Sequence, residues 1–353
     1  MNVSEPSAAL AGESATAWPP VSVIMPVLNE ERHLAFAVNG VLAQGYPGDL
    51  ELILAIGPSR DRTQEIADEL SAADPRVRSV PNPTGRTPAA LNAALAEVKH
   101  DIVVRVDGHG ELTPGYIQTA VRLLEETGAA NVGGVMRAEG VTVFEQAVAC
   151  AMTSKLGVGN ARNHTGGDAG PSDTVYLGVF RRDVLDELGG YDEHFTRAQD
   201  WELNHRIRET GRLIWFDPRL SVTYRPRPNL RTLSTQYKEY GRWRRVVMRT
   251  HAGTANFRYL APPGALLAVA TGTVVGLAGI TGGPAIAAAG FVLPAGYFAA
   301  LTAGALYESR GLPAGVRARL PLVLATMHGS WAYGFLTSPA RLAKATGKTA
   351  KKK

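Results

Sequence analysis

Short apolar runs alternate with helical patterns over the first third of the chain, and this alternation restricts the possible folds most. Four β-rich runs lie at residues 21–25, 50–56, 77–80 and 102–106. Three segments with apolar residues at helical spacing separate them, at residues 29–44, 61–70 and 88–98. Strands that alternate with helices predict a parallel sheet with crossover connections. Ligands of such sheets bind at the carboxyl ends of the strands, so we expect a site where the predicted strands end.

Two short acidic clusters, about ninety residues apart, follow elements of this pattern. Asp107 and His109 come after the fourth predicted strand, whereas Asp200 opens a helical pattern. An Asp and a His one residue apart can bind a divalent cation. A carboxylate at the start of a helix can accept a proton from a hydroxyl group. Together, a cation and a base can move a group away from a diphosphate.

A long uncharged segment follows the predicted catalytic part. No Asp, Glu, Lys or Arg occurs in the 49 positions between Arg258 and Glu308. A membrane-spanning helix needs about 20 apolar residues, and the sequence Gly-Gly-Pro at 282–284 indicates a turn. We therefore predict two spans, at about residues 260–281 and 285–306. The alternative is a buried hairpin within a soluble domain.

The composition divides the chain into four predicted parts. Residues 1–20 form a flexible leader without the pattern of a signal peptide, residues 21–250 the catalytic domain, residues 251–340 membrane-associated helices, and residues 341–353 a polybasic tail. A third apolar stretch, 320–336, is predicted to be interfacial or re-entrant, because a third crossing would place cationic residues outside. The net charge of +5 concentrates beside apolar segments. This pattern favours membrane contact, and no nucleic-acid module is present.

Five short motifs follow one another along the first two thirds of the chain. They are Pro26-Val27-Leu28-Asn29-Glu30, the segment from Asn82 through Gly85 and Arg86 to Asn92, Asp107-Gly108-His109, Gly189-Gly190-Tyr191-Asp192-Glu193, and Gln199-Asp200-Trp201-Glu202. Their order resembles that of family 2 glycosyltransferases over roughly residues 21–245, and it looks most like the bacterial exopolysaccharide branch that includes the succinoglycan transferases. It implies an α/β GT-A fold, with a Rossmann-like, mostly parallel sheet flanked by helices and a membrane-associated helical hairpin at the C-terminus.

The resemblance also implies roles on the donor side of the site. Contacts to the nucleotide sugar are implied for Pro26, Asn29, Glu30, Gly85, Arg86, Asn92 and Asp107. Asp107 and His109 take the place of the family's Asp-x-Asp metal motif, and the imidazole suits Mn²⁺ better than Mg²⁺. UDP is the expected nucleotide by family habit. Because the family's paired acidic motif is reduced to Asp61, a guanine base stays open.

A second set of implied roles concerns the acceptor side. Asp200 matches the catalytic base of an inverting displacement. Contacts to the acceptor or the diphosphate are expected for Gln199, Glu202, Gln236, Arg242 and Trp243. A guanidinium can pair with a phosphate, and an indole can stack on a sugar ring. An equally weighted and compatible interpretation is an amphipathic helix whose arginines meet lipid phosphates.

These residues predict a metal-dependent, inverting transferase that moves a sugar from a nucleotide-diphosphate sugar to a polyprenyl-linked saccharide. The enzyme is expected at the cytoplasmic membrane, with its catalytic domain facing the cytosol. A non-catalytic scaffold is the alternative, which the presence of both Asp107 and Asp200 disfavours. A sugar-nucleotide pyrophosphorylase would need a Gly-rich loop after the first strand, which is absent. The whole interpretation requires Asp107 and Asp200 to meet in one cleft.

Overall fold

A computed structural model describes residues 17–344. Residues 1–16 of the predicted leader and residues 345–353 of the predicted tail lie outside the described residues. The strands are β1 Val21–Val27, β2 Leu50–Ile56, β3 Val77–Pro81, β4 Ile102–Arg105, β5 Glu111–Leu112, β6 Asn131–Ala138, β7 Gly170–Pro171, β8 Tyr176–Arg181 and β9 Ile214–Tyr224. They form one sheet in the order β3-β2-β1-β4-β8-β6-β9-β5, with β7 beside β9.

Helices cover both faces of this sheet and continue beyond it. They are α1 Leu34–Leu42, α2 Thr63–Ala73, α3 Thr87–Leu95, α4 Tyr116–Thr127, α5 Val143–Thr153, α6 Lys155–Val158, α7 Arg162–Thr165, α8 Arg182–Leu188, α9 Gln199–Glu209, α10 Leu230–Thr250, α11 Phe257–Ile280, α12 Val292–Glu308, α13 Ala314–Leu336 and α14 Arg341–Lys344. A 3₁₀ helix, Ala285–Phe291, leads directly into α12.

Alternation of side chains along the central strands builds two apolar layers. Val23 and Met25 of β1 join a core with α1 and α4 on one face, whereas Ile24 joins a core with α3 and α9 on the other. This is the period of two expected for a strand covered on both faces. The predicted parallel arrangement is confirmed for β1 to β4, and β8 then runs antiparallel to both β4 and β6.

The end of β1 opens the space in which the site lies. The sequence predicts that β1 ends before Pro26, but the strand continues to Val27. Its ladder with β4 reaches only Ile24, whose carbonyl accepts from the N–H of Val106, while its ladder with β2 continues to the last residue. The absent N–H of Pro26 therefore faces the side where pairing has stopped, which is where a strand tolerates proline. Beyond this point β1 and β4 separate.

Two apolar helices follow the catalytic domain in the region predicted to cross a membrane. Residues 257–280 and 285–308 have the length and hydropathy of membrane spans, and both are largely exposed. They pack closely at glycines: a Cβ atom added to Gly272 would lie 2.6 Å from the carbonyl oxygen of Gly290. These bounds agree with the two predicted spans within a few residues, and the pair is suited to a membrane hairpin.

The predicted interfacial segment, 320–336, lies within α13. This helix packs on α10 at two glycines, because a Cβ atom at Gly241 would meet the carbonyl of Trp331 and one at Gly334 the carbonyl of Lys238, each at 1.9 Å. Together with α5, the two helices enclose a separate apolar core. The helix is thus attached to the catalytic domain along its length, and its depth relative to a bilayer stays a prediction.

Candidate active site

A buried arginine joins the two acidic clusters. Arg105, the last residue of β4, has 3% of its side chain exposed, and its Nη2 lies 3.1 Å from Oδ1 of Asp107. Its Nη1 forms an ion pair with Oδ1 of Asp200, the second residue of α9. The two carboxylates, 22% and 32% exposed, therefore lie at the same guanidinium. The structure brings the two residues together, while their sharing of one cleft and their roles remain predictions.

The surroundings of Arg105 keep it charged. Burial is the largest influence and lowers the pKa of Arg105, but its neighbours, first among them the carboxylate of Asp107, together outweigh burial, and the net shift is upward. The rings of Tyr176 and Tyr191 border the same space, and burial together with Asp107 raises the pKa of both phenols. Both tyrosines are neutral at physiological pH. The sequence interpretation missed Arg105, although a cation within the apolar strand Ile102–Arg105 was the available signal.

His109 is held by a residue from the first motif. Its Nδ1 lies 2.8 Å from Oε1 of Glu30. The segments after β4 and at the end of β1 approach closely here, since a Cβ atom added to Gly108 would lie 3.2 Å from Cγ of Glu30 and 3.4 Å from the carbonyl of Pro26. The hydrogen bond that His109 donates to Glu30, and then the charge of Asp107, raise the pKa of His109. A carboxylate at Nδ1 requires the proton on that nitrogen, which leaves Nε2 as the nitrogen that can bind a metal.

Asp107 and His109 would supply only part of the coordination shell of a cation, and a bound substrate would have to supply the rest. Among residues 17–344, no three His, Cys, Asp or Glu side chains come together as a metal site. Asp107 and Nε2 of His109 offer one oxygen and one nitrogen, and phosphate oxygens commonly complete such a site. A ligand histidine usually donates its other ring N–H to a carboxylate, which is the position of Glu30.

Asn29 connects the loops that follow β1 and β2. It adopts a positive φ of 55°, which Asn tolerates better than most residues. Its N–H donates to Oγ of Ser59 at 3.0 Å, and its Oδ1 accepts from the N–H of Arg60 at 2.9 Å. Asp61 in the same loop accepts hydrogen bonds from Thr63, which lowers the pKa of Asp61. The Asp61 carboxylate is thus already used at the start of α2.

The segment that contains Gly85, Arg86 and Asn92 is fastened to the Gly-Gly-Tyr-Asp-Glu motif. Nδ2 of Asn92 donates to the carbonyl of Tyr191, and Oδ1 of Asn92 accepts from the N–H of Tyr191, both at 2.8 Å. Arg86 donates to the carbonyl of Glu193 at 3.3 Å. Gly85 has a φ of +66°, which the turn before α3 requires. The predicted contacts of this segment with a nucleotide sugar stay predictions.

Glu202 belongs to a closed ion cluster. Glu202 is 1% exposed and Gln199 is 8% exposed. The carboxylate of Glu202 pairs with Arg206 at 2.7 Å and lies 3.5 Å from Nε2 of His251. Burial raises the pKa of Glu202, but His251 and Arg206 outweigh it, and the net shift is downward. Because these partners occupy the carboxylate, Glu202 has no open contact for an acceptor in this structure.

The remaining predicted residues lie on α10. Nε2 of Gln236 donates to the hydroxyls of Tyr224 and Tyr240, at 2.7 and 2.9 Å, and Arg242 pairs with Glu239 at 2.8 Å. Trp243 is 6% exposed. It packs against the rings of His194 and Phe195, with centroids 5.7 and 6.1 Å away. No ring face of Trp243 is open to a sugar in this structure, and its stacking on an acceptor remains a prediction.

Two exposed arginines add positive charge beside the cleft. The charge of Arg227, just after β9, opposes the upward shifts in the pKa of His109 and of Tyr240. The charge of Arg197, in the loop before α9, also opposes the upward shift in the pKa of Tyr240. Neither forms a salt bridge within the part of the chain that the structure describes. The sequence interpretation did not select them, because nothing in their spacing connects them to Asp107.

Comparison with known proteins identifies the family. Residues 22–189 match the model of glycosyl transferase family 2. The chain is 32% identical to the succinoglycan biosynthesis protein ExoA of Rhizobium meliloti over 89% of this chain and 93% of that protein. It is 22% identical to the dolichyl N-acetyl-alpha-D-glucosaminyl phosphate 3-beta-D-2,3-diacetamido-2,3-dideoxy-beta-D-glucuronosyltransferase of Methanococcus voltae, over 73% of this chain and 82% of that protein.

A solved structure supports the same fold. The mannosyltransferase PcManGT of Pyrobaculum calidifontis, in complex with GDP-Man and Mn²⁺, superposes with a TM-score of 0.61 at 20% identity and covers 92% of this chain and 88% of its own. At this identity the likeness establishes the architecture. The chain therefore belongs to the family 2 glycosyltransferases, in their exopolysaccharide branch, and is a glycosyltransferase with a GT-A fold.

Proposed function

We propose that this glycosyltransferase moves a sugar from a nucleotide-diphosphate sugar to a lipid-linked saccharide, with inversion at the anomeric carbon. The observation that carries the proposal is the position of Arg105, which holds the carboxylates of Asp107 and Asp200 in one cleft. One carboxylate serves the departing diphosphate and the other serves the incoming hydroxyl. A scaffold without catalysis would have no use for this pairing.

On the donor side, Asp107 and His109 would hold Mn²⁺ or Mg²⁺. The imidazole would bind Mg²⁺ more weakly than Mn²⁺, because Mg²⁺ prefers oxygen ligands. The cation supplies positive charge that stabilises the diphosphate leaving group. Glu30 fixes the ring of His109 with Nε2 free. Arg197 and Arg227 can pair with phosphate oxygens, since guanidinium groups bind phosphate through two parallel hydrogen bonds. The cleft therefore concentrates positive charge where negative charge develops.

On the acceptor side, Asp200 would act as the general base. It lies in the first turn of α9, where the helix dipole favours the ionised carboxylate. The acceptor oxygen attacks the anomeric carbon, its proton passes to Asp200, and the bond from that carbon to the diphosphate breaks. One displacement from the face opposite the leaving group inverts the configuration. Arg105 fixes Oδ1 of Asp200, which leaves Oδ2 for the proton.

The acceptor is proposed to be held at the cytoplasmic membrane, with the catalytic domain on the cytosolic side. Helices 257–280 and 285–308 have the composition of spans and would keep the cleft beside the bilayer. The Methanococcus relative is named for an activity on a dolichyl-phosphate-linked sugar, and this supports a lipid-linked acceptor here. UDP is the favoured nucleotide by family habit, and a guanine nucleotide is the competing choice.

Release of nucleoside diphosphate tests this proposal. Purified full-length chain is incubated with UDP-sugars and GDP-sugars, with and without Mn²⁺ or Mg²⁺. We expect release from one nucleotide class, dependent on the cation. Absence of release from every donor and cation would favour the scaffold instead.

The metal assignment has a separate test in Glu30→Gln. Loss of the carboxylate that orients a ligand histidine lowers metal affinity about 10- to 100-fold, and calorimetric titration of Mn²⁺ in the presence of UDP measures it. Glu31→Gln is the matched control, because Glu31 is exposed and accepts only from the N–H of Arg62. Equal Mn²⁺ affinities for the two variants would remove His109 from the metal site.

A further inference from the structure

An arginine-lined cavity of about 440 Å³ lies apart from the cleft of Asp107 and Asp200. It is formed by α7, the strand β7, the C-terminal end of α9 with the start of β9, and the first turn of α11. Four arginines contribute to its wall, with a single carboxylate among the lining residues: Arg162, Arg208, Arg212, Arg258 and Asp173. We call this the arginine pocket. Its excess of positive charge indicates an anionic ligand.

Two of these guanidinium groups lack a close carboxylate. Arg208 has only Asp173, at 3.7 Å, and Asp173 is 73% exposed, so water screens that pair. Arg258 donates to the hydroxyl of Tyr259 and stacks on its ring at 4.7 Å, without a carboxylate partner. The Nε atoms of Arg208 and Arg258 are buried and have no hydrogen-bond partner in the described part of the chain. An anion in the pocket would therefore contact the outer nitrogens of these guanidinium groups.

The other two arginines are fixed by the fold. Arg162 donates to the carbonyls of Pro171 and Asp168, and its guanidinium lies 4.7 Å from the centre of the Phe216 ring. Arg212 is paired with Glu187, which does not line the pocket. These contacts hold positive charge in place before a ligand arrives, which reduces the ordering cost of binding.

The pocket lies where the first candidate membrane helix begins. Arg258 is the second residue of α11, and its neighbours Phe257 and Leu260 are 82% and 45% exposed. An arginine at the end of a span is at the level of lipid headgroups, with its apolar neighbours in contact with the acyl region. The anion that reaches this depth most readily is the phosphate of a membrane lipid.

The same pocket is a short distance along α9 from the proposed base. Arg208 follows Asp200 by eight residues, which corresponds to roughly 12 Å along the helix axis. Between them, Asn204 donates to Oγ1 of Thr174 at 2.9 Å, and Thr174 lines the pocket. A saccharide attached to a lipid phosphate in the pocket would have to extend along α9 to reach Asp200.

We propose that the arginine pocket binds the phosphate or diphosphate group of a membrane lipid. The identification of that lipid with the saccharide-bearing acceptor rests on the proposed function, whereas the phosphate chemistry rests on the pocket alone. The competing source of the same chemistry is a bulk anionic phospholipid.

Native mass spectrometry of the full-length chain tests the proposal. The chain in detergent is titrated with a polyprenyl diphosphate, with phosphatidylglycerol, or with inorganic pyrophosphate. Because the two guanidinium groups would each donate charge-assisted hydrogen bonds to the phosphate, Arg208→Gln with Arg258→Gln should weaken binding about 100-fold or more. The lysine versions should retain part of the affinity. The control, Arg62→Gln with Arg76→Gln, removes exposed arginines elsewhere and should bind like the wild type.

The outcomes separate the sources. Preference for the polyprenyl diphosphate supports the acceptor lipid, and equal binding of phosphatidylglycerol supports a bulk phospholipid. Binding of pyrophosphate alone, or equal lipid binding by the glutamine variants at unchanged melting temperature, overturns the proposal. Donor cleavage by the wild type is measured separately. If lipid binds but no donor is cleaved, the proposed function fails while the pocket stands.

Discussion

The ion triad of Arg105, Asp107 and Asp200 makes a quantitative prediction. Arg105→Met keeps an unbranched, flexible side chain in the buried position but removes the guanidinium, and it leaves the carboxylates of Asp107 and Asp200 without their shared partner. Loss of one partner from a buried ion pair costs about 3 to 5 kcal/mol. The carboxylates keep 22% and 32% exposure, so water reduces this figure, and we expect about 2 to 3 kcal/mol. In a chain of 353 residues that lowers Tm by roughly 3 to 4 °C.

A double-mutant cycle separates this effect from ordinary loss of packing. In Arg105→Met with Asp200→Asn, one carboxylate has gone and the repulsion with Asp107 disappears. The combined change should therefore destabilise the fold less than the sum of the single changes, by about 1 kcal/mol or more. Thermal unfolding of the purified chain in detergent, followed by circular dichroism, measures each variant. Strictly additive effects, or a wild-type Tm for Arg105→Met, would refute the coupling through Arg105.

Two further predictions concern stability. Gly189 and Gly190 both have φ near +70°, but only at Gly190 would a Cβ atom meet Oδ1 of Asn92, at 2.5 Å. Gly190→Ala should therefore lower the chemical denaturation midpoint clearly more than Gly189→Ala, which carries only the backbone cost of about 1 kcal/mol. Equal effects of the two substitutions would contradict the Asn92 contact. Burial and then the charge of Arg258 lower the pKa of His164 to about 4. Between about pH 6.5 and pH 4 the unfolded chain therefore binds a proton at His164 that the folded chain does not bind. Up to about 3 kcal/mol of stability is lost as pH falls through this range. His164→Gln should remove that part of the acid sensitivity in unfolding titrations, and identical pH profiles would contradict it.

The parallel half of the sheet could be predicted because its signals are local. Each strand from β1 to β4 is an apolar run, and Asp107 and Asp200 stand directly after a strand and at the start of a helix. Their convergence was implied by the family resemblance, and Arg105 contacts both carboxylates. The extension of β1 through Pro26 could not be predicted, because it depends on where the ladder to β4 stops.

The contacts that complete the site depend on pairs distant in sequence. Glu30 and His109 are 79 residues apart, and nothing in either motif shows that they share a hydrogen bond. Trp243 is exposed or buried according to how α10 packs, which the helix's own sequence leaves open. By contrast, the pair of Glu202 and Arg206 has the i, i+4 spacing of a helical ion pair, and that signal was available in the sequence.

The central claim is that Asp107 serves the diphosphate while Asp200 serves the acceptor hydroxyl. Asp107→Asn and Asp200→Asn are compared by the Kd for the nucleoside diphosphate with Mn²⁺ and by the kcat of sugar transfer. The account predicts that Asp107→Asn weakens nucleotide binding, whereas Asp200→Asn leaves binding unchanged and lowers kcat about 10²- to 10⁴-fold. An unchanged kcat for Asp200→Asn, or the same loss of nucleotide binding in both variants, would contradict it.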